Sequence, residues 1–71
     1  MIVKKEFTVK EDEAFRLRVK AHECIAPKGL ISVDFVQECL NKKGEVDFTS
    51  TYNFFLYKED IDNLIEGLKQ V

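Results

Sequence analysis

The hydropathy pattern of this chain changes period once, near Lys58, and that change limits the folds open to it. Before Lys58 apolar and polar residues alternate with period two, the signature of strands with one buried face. After it, Ile61, Leu64, Ile65 and Leu68 follow i, i+3, i+4, i+7, one stripe of an amphipathic helix. A chain of 71 residues is a single small domain, residues 1–71, with no repeat and no linker. The pattern therefore predicts an α+β fold, ββββα, in which a four-stranded antiparallel meander is followed by one C-terminal helix packed on its apolar face.

The first strand is predicted over about residues 2–9, with Val3, Phe7 and Val9 on the apolar side, Lys4, Glu6 and Thr8 on the other, and Lys5 as the exception. "KEDEA" is a charged loop. In the second strand Phe15, Leu17, Val19, Ala21 and Ile25 face one way, with Glu23 out of pattern, and Arg16, Arg18, Lys20, His22 and Cys24 the other. "APKG" ends it, since Pro27 lacks an N–H donor and Gly29 tolerates positive φ. The third strand, "LISVDFVQEC", sets Ile31, Val33, Phe35 and Cys39 against Ser32, Asp34 and Glu38, with Val36 and Leu40 as apolar exceptions on the polar side. After "NKKGE", the fourth strand sets Val46, Phe48, Tyr52, Phe54 and Leu56 against Asp47, Thr49, Thr51, Asn53, Phe55 and Tyr57. The helix carries Glu59, Asp60 and Asp62 in its first turn and Lys69 in its last, as the helix dipole favours, but Lys58 is a poor N-cap.

Register follows from parity, because a slip of one residue turns a strand over. A two-residue loop at Lys43-Gly44, or an equivalent with a compensating bulge, pairs Cys39 with Phe48, Phe35 with Tyr52, Val33 with Phe54 and Ile31 with Leu56. A three-residue loop with Asn41 opposite Glu45 has better turn chemistry, but alone it puts Phe48 and Phe54 on the wrong face. Between the second and third strands, parity allows Lys20–Asp34 with Arg16–Glu38, or His22–Asp34 with Arg18–Glu38. Either register sets acids among the basic row, and the first strand can bring Glu6 beside Arg18.

The charge balance and motifs narrow the function classes. A net charge of −2 is too balanced for a protein that coats nucleic acid non-specifically. No apolar run approaches the roughly 18 residues that span a bilayer, and charges interrupt the N-terminal segment, so neither membrane insertion nor export is expected. The two Cys then read as free thiols in the cytoplasm. His22, Cys24 and Asp34 fall short of a metal set, there being no CxxC and one His in the chain. No phosphate loop or nucleophile–base pair is visible, so no catalytic residue, cofactor or metal is assigned.

What remains is a surface. Val36, Leu40, Phe55 and Tyr57 are the apolar members of the polar face, and they are the candidate protein-interaction residues. Strand four is also a candidate route to a homodimer, and Gly67 in the helix a candidate point of close approach. The expectation is a small non-enzymatic module that binds another protein, as an accessory, regulatory or inhibitory factor of the sort that phages and mobile elements encode. The alternative is a nucleic-acid binder that holds phosphates with Arg16, Arg18 and Lys20 and stacks bases on Phe55 or Tyr57.

Overall fold

Period-two alternation does produce four strands, and they pair in chain order. A computed structural model describes residues 4–71. It contains β1 (Lys4–Glu11), β2 (Phe15–Glu23), β3 (Leu30–Leu40) and β4 (Val46–Tyr57), followed by α1 (Lys58–Lys69). The strands form one antiparallel sheet in the order β1-β2-β3-β4. The predicted start of the first strand and its apolar Val3 lie outside the described residues.

Each turn is held by local chemistry. In the first, the Asp12 carboxylate accepts the N–H groups of Ala14 at 2.9 Å and Phe15 at 2.8 Å. These two bonds favour the ionised form and hold the Asp12 carboxyl below its ordinary value. At the "APKG" break Gly29 adopts φ +88°, a left-handed conformation that costs an L side chain dearly.

The turn between β3 and β4 resolves the conflict between turn chemistry and face. Asn41 and Glu45 do face each other, with the Asn41 N–H donating to the Glu45 carbonyl at 2.9 Å. The Asn41 side chain accepts from the N–H groups of Lys43 and Glu45, and Gly44 takes φ +82°. This is the three-residue loop. A register shift then leaves Asp47 unpaired, so Cys39 still opposes Phe48, Phe35 opposes Tyr52 and Val33 opposes Phe54. The bulge puts the large side chains on one face while the turn keeps its preferred geometry. It also moves one residue: Val46 pairs with Leu40 and not with the apolar set. Val46 thus lies on the face of the even-numbered residues of β2 and β3, called the even-numbered face although β4 presents Thr49, Thr51, Asn53 and Phe55 on it.

A second shift lies in β1, between Thr8 and Lys10. Val9 is the extra residue there and stays exposed, and Lys10 takes the place opposite Leu17 that alternation had assigned to an apolar side chain. Between β2 and β3 the register is Arg16–Glu38 and Lys20–Asp34, the first of the two that parity allowed.

The helix follows β4 with no intervening residue. Tyr57, not Lys58, is the N-cap, and its N–H donates to the Asp60 carboxylate at 2.9 Å. That bond is the N3 half of a capping box, in which a first-turn side chain satisfies the N–H of the N-cap residue. The contacts of α1 are chiefly with β4, and none of its residues is buried. Its cover of the apolar face is therefore slight. Val19 and Val33 are the buried hydrophobic residues among those described. Phe7, Phe15, Phe48, Tyr52 and Phe54 stay exposed on the sheet, as do Leu64, Ile65 and Leu68 on the helix.

Candidate interaction surface

The even-numbered face is built from four cross-strand rows. From one end of the sheet these are Lys4–His22–Ser32–Phe55, Glu6–Lys20–Asp34–Asn53, Thr8–Arg18–Val36–Thr51 and Glu11–Arg16–Glu38–Thr49. Tyr57 lies beyond the first row, opposite Leu30, and Leu40 lies beyond the last, opposite Val46. Facing residues on neighbouring strands are close enough for side chains to touch, and residues diagonal to them are within reach of long ones.

The basic row is answered by carboxylates. Arg16 Nε donates to Glu38 Oε1 at 2.8 Å, and Arg16 Nη1 lies 3.8 Å from Glu11. Arg18 is paired with Glu6, one row away, and its other terminal nitrogen is 3.8 Å from Glu38. Glu38 thus sits between two guanidinium groups and is only 8% exposed. Its carboxyl is held below the ordinary value, first by the hydrogen bond from Arg16; burial opposes this as the next largest effect, and the charges of Arg16, Arg18 and Lys20 add to the lowering. The Arg16 guanidinium is raised by the same bond. Next to this lattice the Asn53 amide donates to Ser32 Oγ at 2.9 Å and to Asp34. Among the described residues, no buried side-chain nitrogen or oxygen lacks a partner.

The four apolar residues of this face do not form one patch. Phe55 is 60% exposed and stands with Tyr57 at the first-row end. Val36 is half-buried two rows away, and Leu40 is half-buried at the far end beside Val46. With a rise of about 3.3 Å per residue, Phe55 and the Val36 row are roughly 13 Å apart. The aromatic pair is therefore a surface of its own, and Leu40 with Val46 is a second, smaller one. Val46 was hidden from sequence reasoning because a bulge has no composition of its own.

Cys24 and Cys39 are free thiols. Cys39 lies on the opposite face from the basic row, between Phe15 and Phe48, so it cannot join His22 and Asp34. His22 itself faces Ser32, while Asp34 faces Lys20. The concavities are open depressions. One of about 830 Å³ lies between the β1–β2 and β3–β4 turns, lined by Asp12, Arg16, Leu40 and Asn41 among others. A smaller one of about 330 Å³, lined by Ala21, Gly29, Ile31 and Lys58, marks where the helix leaves the sheet. No helix among the described residues is long and apolar enough to cross a membrane.

No protein-family model, curated protein or solved structure matches the chain.

Proposed function

We propose that this protein is a non-enzymatic cytoplasmic module that binds another protein and acts as an accessory or inhibitory factor. The observation that carries the reading is the exposure of Phe55 and Tyr57 together at one end of a mostly polar face. The fold does not need them there, since they point away from the face that holds Val19 and Val33. Aromatic side chains so placed supply large contact area at low entropic cost, as in the centres of protein interfaces. Replacing Phe55 and Tyr57 together by Ala should abolish capture of the native partner while the circular dichroism spectrum stays unchanged. Capture at undiminished yield by the folded double variant would refute the reading.

A second reading rests on one feature of the same surface. Phe55 shares its row with Lys4 and His22, and Lys20 is exposed one row away. Basic and aromatic groups so mixed are the ingredients of a single-stranded nucleic-acid platform. Against it, Arg16 and Arg18 already have carboxylate partners and offer phosphates little free charge. Under this reading an oligonucleotide should bind at low salt, and lose affinity steeply with added salt and with Lys20→Ala. Absence of binding at low salt eliminates it.

A further inference from the structure

Outside Val19 and Val33, the odd-numbered face of the sheet is largely open, and so is the apolar stripe of α1. The helix follows β4 with no intervening residue, touches chiefly that strand and buries none of its own residues, so it leaves most of the face open. The molecule as a whole is more open than a compact domain of its mass. A compact monomer of 8.3 kDa exposes about 4,600 Å². This chain exposes 5894 Å², an excess of about 1,300 Å² over that expectation. Its Cα radius of gyration is 14.3 Å, against about 11 Å for a compact domain of this length.

We propose that a second copy of the chain covers this surface, forming a two-fold symmetric homodimer. If each chain buries its excess, the pair loses about 2,600 Å², inside the range of obligate homodimers and above that of most transient contacts. The chemistry of the surface suits self-association. On its odd-numbered face β3 presents Ile31, Val33, Phe35, Gln37 and Cys39, and β4 presents Phe48, Ser50, Tyr52, Phe54 and Leu56, without one charged side chain. The charges of that face, Lys5, Lys10 and Glu23, lie on β1 and β2 toward one side. A wide apolar area free of charge, bordered by charges on one side, suits a homodimer interface, whose core is depleted of charged residues and resembles a domain core cut in half. A two-fold axis brings the same patch from both chains together, so the surface need only complement itself. The contact runs through β4 by its face, with Leu64, Ile65 and Leu68 extending it.

Light scattering and sedimentation of the native chain at micromolar concentration test the proposal. The expected mass is twice 8.3 kDa. A folded species of single-chain mass overturns the proposal, and so does an open series of larger assemblies. Two adjacent substitutions then locate the face. Phe54→Lys should halve the mass or unfold the chain, and Phe55→Lys, one residue on and on the other face, should leave the dimer intact. The reverse pattern would overturn the assignment of the face. Because Phe55 and Tyr57 lie outside this interface, loss of partner capture and loss of dimerisation are separable outcomes.

Discussion

Phe54→Ala, measured beside Val33→Ala, reads how much of the odd-numbered face is covered in solution. The two residues oppose each other across β3 and β4. Val33 is 7% exposed, so truncation to Ala removes two buried carbons at roughly 0.8 kcal/mol each and leaves a small cavity. Its cost should be about 2 kcal/mol whatever covers the face. Phe54 is different, because half of it is open to water in the single chain, at 51% exposure. Half of a full Phe burial is worth about 0.8–1.5 kcal/mol. The edge-on contact with Phe35, ring centroids 5.9 Å apart, adds about 0.5–1 kcal/mol. An uncovered Phe54 should therefore cost about as much as Val33. A Phe54 covered by a second chain should cost about 3–5 kcal/mol, the range for truncating a buried aromatic. Urea denaturation followed by far-ultraviolet circular dichroism, at one fixed chain concentration, gives both differences from the shift in midpoint. A loss for Phe54→Ala no greater than for Val33→Ala would refute the reasoning that this face is buried in the working protein.

Three further outcomes follow from particular residues. Glu38 has a lowered carboxyl pKa in the folded chain, so its contribution to stability is fully present above the ordinary value of 4.5 and is lost as pH falls through the folded value. Glu38→Gln should thus destabilise at pH 7 and differ less from wild type at pH 3, and a difference that persists undiminished in acid would contradict the ion-pair account. Gly44→Ala should cost about 1 kcal/mol in a denaturation midpoint, since φ is +82° there while no atom crowds the site. Gly67→Ala should instead stabilise the helix by about 0.8–1 kcal/mol, because it has a helical backbone, open space around it and a position off the apolar stripe; a loss of stability would show that another backbone approaches it.

The parts of this fold that were legible in the sequence are those governed by side-chain parity. Alternation through "FRLRVKA" and "ISVDF" identifies the two faces, and the need for a single apolar face selects the pairing of Phe35 with Tyr52 and Val33 with Phe54. The three-residue turn was equally visible in Asn41 and Gly44. What could not be read was how both are satisfied together, because the bulge at Asp47 adds a residue without any distinctive composition. The same is true of Val9, which alternation places on the apolar face and the bulge in β1 leaves out of register. Periodicity also reveals that α1 has an apolar stripe but not what that stripe meets. The expectation that α1 packs on the apolar face rested on that stripe alone, and the structure shows only slight cover. In the candidate site, the acids facing the basic row follow from register alone. The reach of Glu6 past its neighbour Lys20 to Arg18 depends on the length of the arginine. The separation of Phe55 and Tyr57 from Val36 and Leu40 is a matter of distance along the strands, which a face assignment does not convey.

The claim that the chain completes its core with a second copy is tested most directly by the concentration dependence of its thermal unfolding. When folding and dimerisation are coupled, a tenfold rise in concentration adds about 1.4 kcal/mol per dimer. The unfolding entropy of two chains of 71 residues, at about 2.1 cal/mol/K per residue, converts this to a shift of about 5 °C. The account predicts that Tm rises by about that much for each tenfold increase in chain concentration. A cooperative transition at the same temperature across a hundredfold range would contradict it.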